Sequence, residues 1–286
     1  MTRVESISIQ KINNSVVRLN ESLKDIVVNY FLFVWCFIKI KIIEVKNGKS
    51  EPNPEKMSLV FGDEFTFFDK NKWRIGQPWG LFHPESPYQY YGEDTVCIED
   101  DHLVLGQRFN PKKLSPFDSE VVYDIPYSVG LITSHQSFGY GLYQFEVKLP
   151  KGAGLWPAVW LSCVDSWPPE IDINESYSDK RGNYKNKLQS NFHFNFGKEK
   201  TSSGARNHFV FNDKRIIKMS CWWTPQFIKI YYNGYLVRQI TSKRTLKWFT
   251  DKKMIIILNN AIRPEFVDEL KDQSSKFHIF SVKYWQ

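Results

Sequence analysis

Three carboxylates fall within six residues of this 286-residue chain, in the run Glu170-Ile-Asp172-Ile-Asn174-Glu175. The run reads as a strand, where alternate side chains share a face. Glu170 and Asp172 then point into one groove. Glu175 points away unless a one-residue bulge between Asp172 and Glu175 turns it back. Three acids crowded on one sheet face repel and desolvate one another, a cost best explained if one must be protonated while another is ionised. Glycoside hydrolysis has that requirement. A retaining enzyme holds a nucleophilic carboxylate and an acid/base carboxyl about 5–5.5 Å apart, and an inverting one leaves a wider gap for a water. Alternate strand positions lie about 6.5–7 Å apart along the chain, which convergent side chains can close to the retaining distance. On spacing alone, an acidic strand end facing solvent, or part of a calcium site, remains open.

The elements that must position these acids are β. From Met57 onward, short alternating or apolar runs are separated by turn residues at intervals of about ten, and Asn233-Gly234 joins two of them as a hairpin. About a dozen strands without βαβ spacing predict an all-β, two-sheet sandwich or jelly roll, and no internal repeat suggests a propeller or β-helix. The chain carries 22 Phe, 14 Tyr and 10 Trp, 16% aromatic, enough to fill a sandwich core, line a groove, or both. Gly 15 and Pro 14 exclude collagen-like and low-complexity architectures, and 24% charged residues amid plentiful apolar ones exclude wholesale disorder. A net charge of +7 permits an acidic polymer as partner. The basic residues form no run interleaved with aromatics, so no nucleic-acid partner is expected. Cys36, Cys97, Cys163 and Cys221 lie far apart with no CxxC pair, which excludes a disulfide scaffold and a zinc ribbon and reads as free thiols.

Residues 1–45 are of another kind. Ile9, Ile12, Val16, Leu19, Leu23, Ile26, Tyr30, Phe33, Phe37 and Ile40 recur at steps of three and four without Pro or Gly, an a/d heptad pattern. An α-helical coiled coil that makes a homo-oligomer or larger assembly through residues 9–40 is the first expectation. The second half, 26–38, is apolar nearly all round, so a membrane anchor stays open, although the stretch is short of the roughly 20 residues a span needs. An inert extension is the third reading. No small-residue cleavage site follows, as a signal peptide would require. Residues 46–56 turn to Gly, Lys, Ser, Asn and Pro and read as a linker, leaving 57–286 as one β-sandwich domain.

Beyond the acids, the chain resembles glycoside hydrolase family sixteen, the laminarinase, agarase and carrageenase group. The resemblance rests on GLIT at 130–133, FGYGLYQFEVKLP at 138–150, LWPAVW at 155–160, WTP at 223–225, YYNG at 231–234 and IILNNA at 256–261, with 61–65 and 282–286 like the family's first and last strands. It implies a concanavalin-like β-jelly-roll and an endo-acting retaining enzyme on β-linked polysaccharide, of β-1,3-glucan or galactan type. It implies Glu170 as nucleophile, Asp172 as its assistant and Glu175 as acid/base, in the bulged E-x-D-x-x-E branch. Asn174 stands where that branch usually has an apolar residue, and an unbulged strand would put Asn174 in the acid's place. Trp156 and Trp160 match positions where a ring stacks on sugar. His193 matches a histidine near the acid/base, and Asn259 could bond a sugar hydroxyl. Trp79 and Tyr91 resemble the segment lining the non-reducing side, with 81–85 departing from the usual version. Phe280 occupies the place of an Asp that holds calcium in many relatives, so no cofactor or metal is expected. The alternative is a non-catalytic glycan-binding or structural module on the same fold, such as a virion part. Either way, the chain would act outside the cell, secreted, anchored or carried on a virion.

Overall fold

The computed structural model describes residues 27–286 apart from 29, 32–33, 43, 47, 117–119, 185–186, 197–198, 203, 211–214 and 271–274. Alternating patterns resolve into strands Leu59–Asp63 (β1), Trp73–Ile75 (β2), Gln89–Tyr91 (β3), Val96–Glu99 (β4), His102–Leu114 (β5), Tyr123–Val129 (β6), Leu131–Phe138 (β7), Gly141–Lys148 (β8) and Leu155–Ser162 (β9). They continue as Glu170–Glu175 (β10), Lys187–Phe196 (β11), Glu199–Ser202 (β12), Arg206–Phe209 (β13), Ile217–Trp223 (β14), Ile228–Tyr232 (β15), Tyr235–Ile240 (β16), Met254–Ile262 (β17) and Lys276–Trp285 (β18).

These strands make two sheets. The outer sheet runs β16-β15-β14-β8-β18-β5-β6-β3, with β1 on β18 and β4 on β5. The inner sheet runs β12-β11-β10-β9-β17-β7-β2, with β13 on β11. The expected all-β sandwich is therefore present, without βαβ units among the described residues. Its core lies between the sheets: Val159 and Leu161, Ile171 and Ile173, and Ile256 and Leu258 of the inner sheet pack with Phe145, Val147, Met219, Cys221 and Ile230 of the outer one. At about 25 cal/mol per Å² of apolar surface removed from water, this layer is the main favourable term holding the sheets together.

Period-two alternation carries the site. On β9 the residues between the core positions, Trp156, Ala158 and Trp160, face the opposite side, into a groove. The neighbouring β17 is buried along its whole length. Leu258 joins the inter-sheet core, while Ile255 and Ile257 pack with Tyr91, Tyr127 and Leu131 in a second apolar cluster. The Asn233-Gly234 hairpin forms as read, with φ of 52° and 86°, the left-handed pair that a two-residue turn of this hand demands.

The described residues between 27 and 46 are helical. Cys36 and Ile40 are buried. Ile40 and Glu44 face Phe209, Val210, Tyr235 and Val237 across a cavity of about 100 Å³. Val27, Phe31, Trp35, Ile38 and Ile42 stay exposed. Most of the heptad pattern lies outside the described residues, and among those described no helix is long and apolar enough to cross a membrane. The following stretch is pinned to the outer sheet. Ser50 and Glu51 donate backbone N–H groups to Gly234 O, and the Glu51 carboxylate accepts from Gln144 Nε2 at 2.7 Å and Ser220 Oγ at 2.5 Å, with Lys218 Nζ at 3.2 Å.

Candidate active site

The acidic strand is bulged. β10 pairs with β9 as Glu170↔Ser162, Ile171↔Leu161 and Asp172↔Trp160, then slips, so that Asn174 faces Val159 and Glu175 faces Ala158. The extra residue restores Glu175 to the groove, and Glu170, Asp172 and Glu175 line one cavity of about 240 Å³. Asn174 takes a core-side position, where a polar side chain needs partners. It has two: its amide donates to Pro157 O at 3.2 Å and its oxygen accepts from Ser176 Oγ at 2.6 Å.

The carboxylates are held from several sides. Trp167 Nε1 donates to Glu170 Oε2 at 3.0 Å and Tyr177 OH donates to Glu175 Oε1 at 3.1 Å. His193, opposite Glu170 on β11, brings Nε2 to 3.5 Å from Glu170 Oε1 and 3.1 Å from Asp172 Oδ2. The second approach is not a well-directed hydrogen bond, since Asp172 Oδ2 has no hydrogen-bond partner. His193 thus touches Glu170 and Asp172 and is also near enough to Glu175 to oppose the rise of its carboxyl. Trp156 Nε1 lies close enough to draw the Glu175 carboxyl down, yet it too completes no well-directed bond.

Burial pushes all three carboxyls up. Glu170 is raised well above the ordinary range by burial and then by the Asp172 charge, opposed by His193 and the Trp167 N–H. Asp172, 2% exposed, is raised well above its ordinary value by burial and by Glu175. Glu175 is raised by burial, with the Tyr177 hydroxyl opposing. Such a group holds a proton at a pH where free carboxyls have lost theirs, and it cannot carry three negative charges at once. One member can donate a proton while another attacks, the pattern that acid/base glycoside chemistry uses.

The aromatic expectations divide. Trp156, Trp160, Tyr91 and Asn259 line the acid-bearing cavity. Trp160 Nε1 donates to Asn259 Oδ1 at 2.8 Å, so Asn259 orients the ring and keeps only its Nδ2 side, 3.4 Å from Trp156 O, for another partner. Tyr91 OH donates to Gln77 Oε1 at 3.2 Å. Trp79 is 43% exposed and is not part of the lining, its turn contributing Gln77 instead. Residues that the sequence reading passed over complete the site: His83, Ser86 and Gln89 on the wall, Trp167 and Tyr177 on the acids. Tyr177 follows Glu175 by two positions, a same-face spacing that could have drawn attention to it. Glu170, Asp172 and His193 each offer a ligand atom within 4.8 Å of the others, the one such set among the described residues. Phe280 stacks on His102 with centroids 4.7 Å apart.

Residues 88–262, more than half of the chain, match the sequence model of glycosyl hydrolases family 16. The chain belongs to that family. Among curated relatives of this family 16 chain is a glucan endo-1,3-beta-glucosidase A1 of Niallia circulans, 28% identical over 255 residues, covering 76% of this chain and 35% of the relative. A galactan endo-beta-1,3-galactanase of Flammulina velutipes is 53% identical over 129 residues, 43% of this chain and 51% of the relative. The chain thus spans between a third and about half of these two relatives' lengths. Of solved structures, the catalytic domain of an endo-1,3-beta-glucanase (laminarinase) from Thermotoga petrophila superposes with a TM-score of 0.65 at 22% identity, covering 80% of this chain and 98% of that one. At that identity the likeness is one of fold, and it extends to the family's jelly roll.

Proposed function

We propose that this family 16 chain is an endo-acting, retaining hydrolase of β-linked polysaccharide. The observation that carries the reading is the bulge that returns Glu175 to the face of Glu170 and Asp172, in a cavity walled by Trp156 and Trp160. The Glu170 carboxylate attacks the anomeric carbon while Glu175 gives its proton to the departing glycosidic oxygen. The C1–O bond breaks, a glycosyl ester forms on Glu170, and the leaving sugar carries away the proton as a hydroxyl. Water, deprotonated by Glu175, then attacks the same carbon and releases Glu170. Asp172 and His193 hold Glu170 in place and set which acid keeps the shared proton. Trp156 and Trp160 offer flat rings to the apolar face of a pyranose. No cofactor is needed for these steps.

A β-1,3-glucan or β-1,3-galactan is the proposed polymer class, supported by the glucanase and galactanase among the relatives. The test is Glu170→Gln on laminarin, lichenan, agar and carrageenan. Cleavage surviving the substitution would overturn the mechanism, and binding without cleavage by the unaltered chain would leave only a glycan-binding module. Residues 57–286 would be the catalytic unit, joined by 46–56 to a self-associating segment at 9–40. The apolar side chains left exposed on the described part of that segment support association. Light scattering should find the full chain oligomeric and a chain begun at Met57 monomeric.

A further inference from the structure

The bulge that returns Glu175 to the groove leaves Ile173 as the extra residue of β10. Pairing with β11 runs from Glu170 to Asp172 and stops there, and pairing with β9 passes from Asp172 straight to Asn174. Ile173 is completely buried, so a residue skipped in this way needs partners for its backbone groups other than water. In a regular strand the carbonyls point sideways along the sheet, toward neighbouring strands. The carbonyl of Ile173 is met from the opposite sheet, by the Tyr232 hydroxyl of β15 at 2.6 Å.

Tyr232 is itself fixed. Its ring is 2% exposed, belongs to the inter-sheet core, and lies edge-on to His208 with centroids 5.8 Å apart. A rigid ring packed in this way delivers its hydroxyl to one place, and burial keeps the proton on that oxygen to far above the ordinary range. The ties that Asn174 and Ser176 make stay within the inner sheet. Asn174 Nδ2 and the Ser176 backbone N–H both donate to Pro157 O of β9, at 3.2 and 3.1 Å. A slip of one residue beyond Asp172 would put Asn174 in the groove and turn Glu175 away from it. It would also take the Ile173 carbonyl from the Tyr232 hydroxyl, leaving a buried donor without an acceptor.

We propose that Tyr232 is a positioning residue for the acid/base: its hydroxyl, reaching across the core to Ile173 O, selects the bulged register and so sets Glu175 at the leaving oxygen. The inference rests on the roles proposed above for Glu170 and Glu175. Glu170 and Asp172 lie before the bulge, in the part of β10 that is paired with β11. Losing the Tyr232 hydroxyl should therefore impair the steps in which Glu175 moves a proton and spare the attack by Glu170.

The experiment compares Tyr232→Phe with the unaltered chain on oligosaccharides of β-1,3-glucan and β-1,3-galactan and on their dinitrophenyl glycosides. A departing sugar needs the proton of Glu175, whereas dinitrophenolate leaves as a stable anion without it. On the plain oligosaccharides kcat/KM should fall by about tenfold or more, mainly through kcat, as part of the 10²–10⁴ that a general acid supplies. On the dinitrophenyl glycosides kcat/KM should change by less than about threefold, because general-acid help is not used there. Azide attacks C1 of the glycosyl ester without a general base, releasing the Glu170 carboxylate as a glycosyl azide forms. It should raise kcat on the dinitrophenyl glycosides for Tyr232→Phe and not for the unaltered chain. Equal losses on the two kinds of substrate would make Tyr232 a packing residue and overturn the proposal, as would no loss on either. Should Tyr232→Phe fail to fold, proton NMR of the unaltered chain decides. A slowly exchanging Tyr232 hydroxyl supports the clamp, and a rapidly exchanging one overturns it. Release of neither sugar nor dinitrophenolate by the unaltered chain would overturn the proposed activity, and the role of Tyr232 with it.

Discussion

The two faces of β10 obey opposite rules. On the core side, Ile171 and Ile173 are completely buried in the inter-sheet layer, and the carbonyl of Ile173 accepts the Tyr232 hydroxyl at 2.6 Å. Asn174, the polar exception, has a partner for each half of its amide. On the groove side, three acids share one cavity, and Asp172 Oδ2 and the nearby Trp156 Nε1 are buried without hydrogen-bond partners. One face is built to be stable and the other holds unrelieved charge, and the bulge lets both occupy a single strand.

Substitutions should separate the faces. Glu175→Gln keeps shape and removes the proton donor, so kcat/KM should fall by about 10²–10⁴-fold without loss of melting temperature. A drop in melting temperature would show that the groove acids stabilise the fold. Ile173→Ala should do the reverse, costing about 2–5 kcal/mol while the folded fraction keeps its turnover. A chemical-denaturation curve read alongside active-site titration checks both halves. Asp172→Asn should lower activity yet raise stability near neutral pH. The folded chain keeps the acids' protons to higher pH than the unfolded chain does. Stability is therefore lost as pH rises from the ordinary carboxylate range through the raised values, and below about pH 4 the penalty disappears. Each kcal/mol relieved is worth roughly 2–4 °C, so calorimetry at pH 7.5 and pH 3.5 should show a gain only at the higher pH. The smallest effect belongs to Trp167→Phe. Losing the N–H on Glu170 should move the acidic limb of the kcat/KM profile upward, and an unmoved limb would remove Trp167 from the set of groups that tune Glu170.

Much of this was legible in the residues. The spacing of Glu170, Asp172 and Glu175 called for a bulge if all three were to share a face, and the family resemblance placed Trp156 and Trp160 at the groove. What escaped lies where alternation stops. Trp167 precedes Pro168 and Pro169, in a loop whose parity cannot be carried back from the strand. The wall of Gln77, His83, Ser86 and Gln89 comes largely from turns around the short β3, which pairs in parallel with the distant β6. The second half of β5, with Lys112 and Lys113, is largely exposed on both faces and leaves no period to read. His193, expected near the acid/base, does act on Glu175, and the register of β11 adds contacts with Glu170 and Asp172 that the sequence did not show.

The Glu51 clamp also bears on mechanics. Its carboxylate is gripped by Gln144 of β8 and by Lys218 and Ser220 of β14, strands near the middle of the outer sheet. Tension on the segment upstream would enter the molecule there, across a layer of side chains from β10. A pull on the upstream segment would be taken up by these outer-sheet strands, while the three acids sit on the inner sheet.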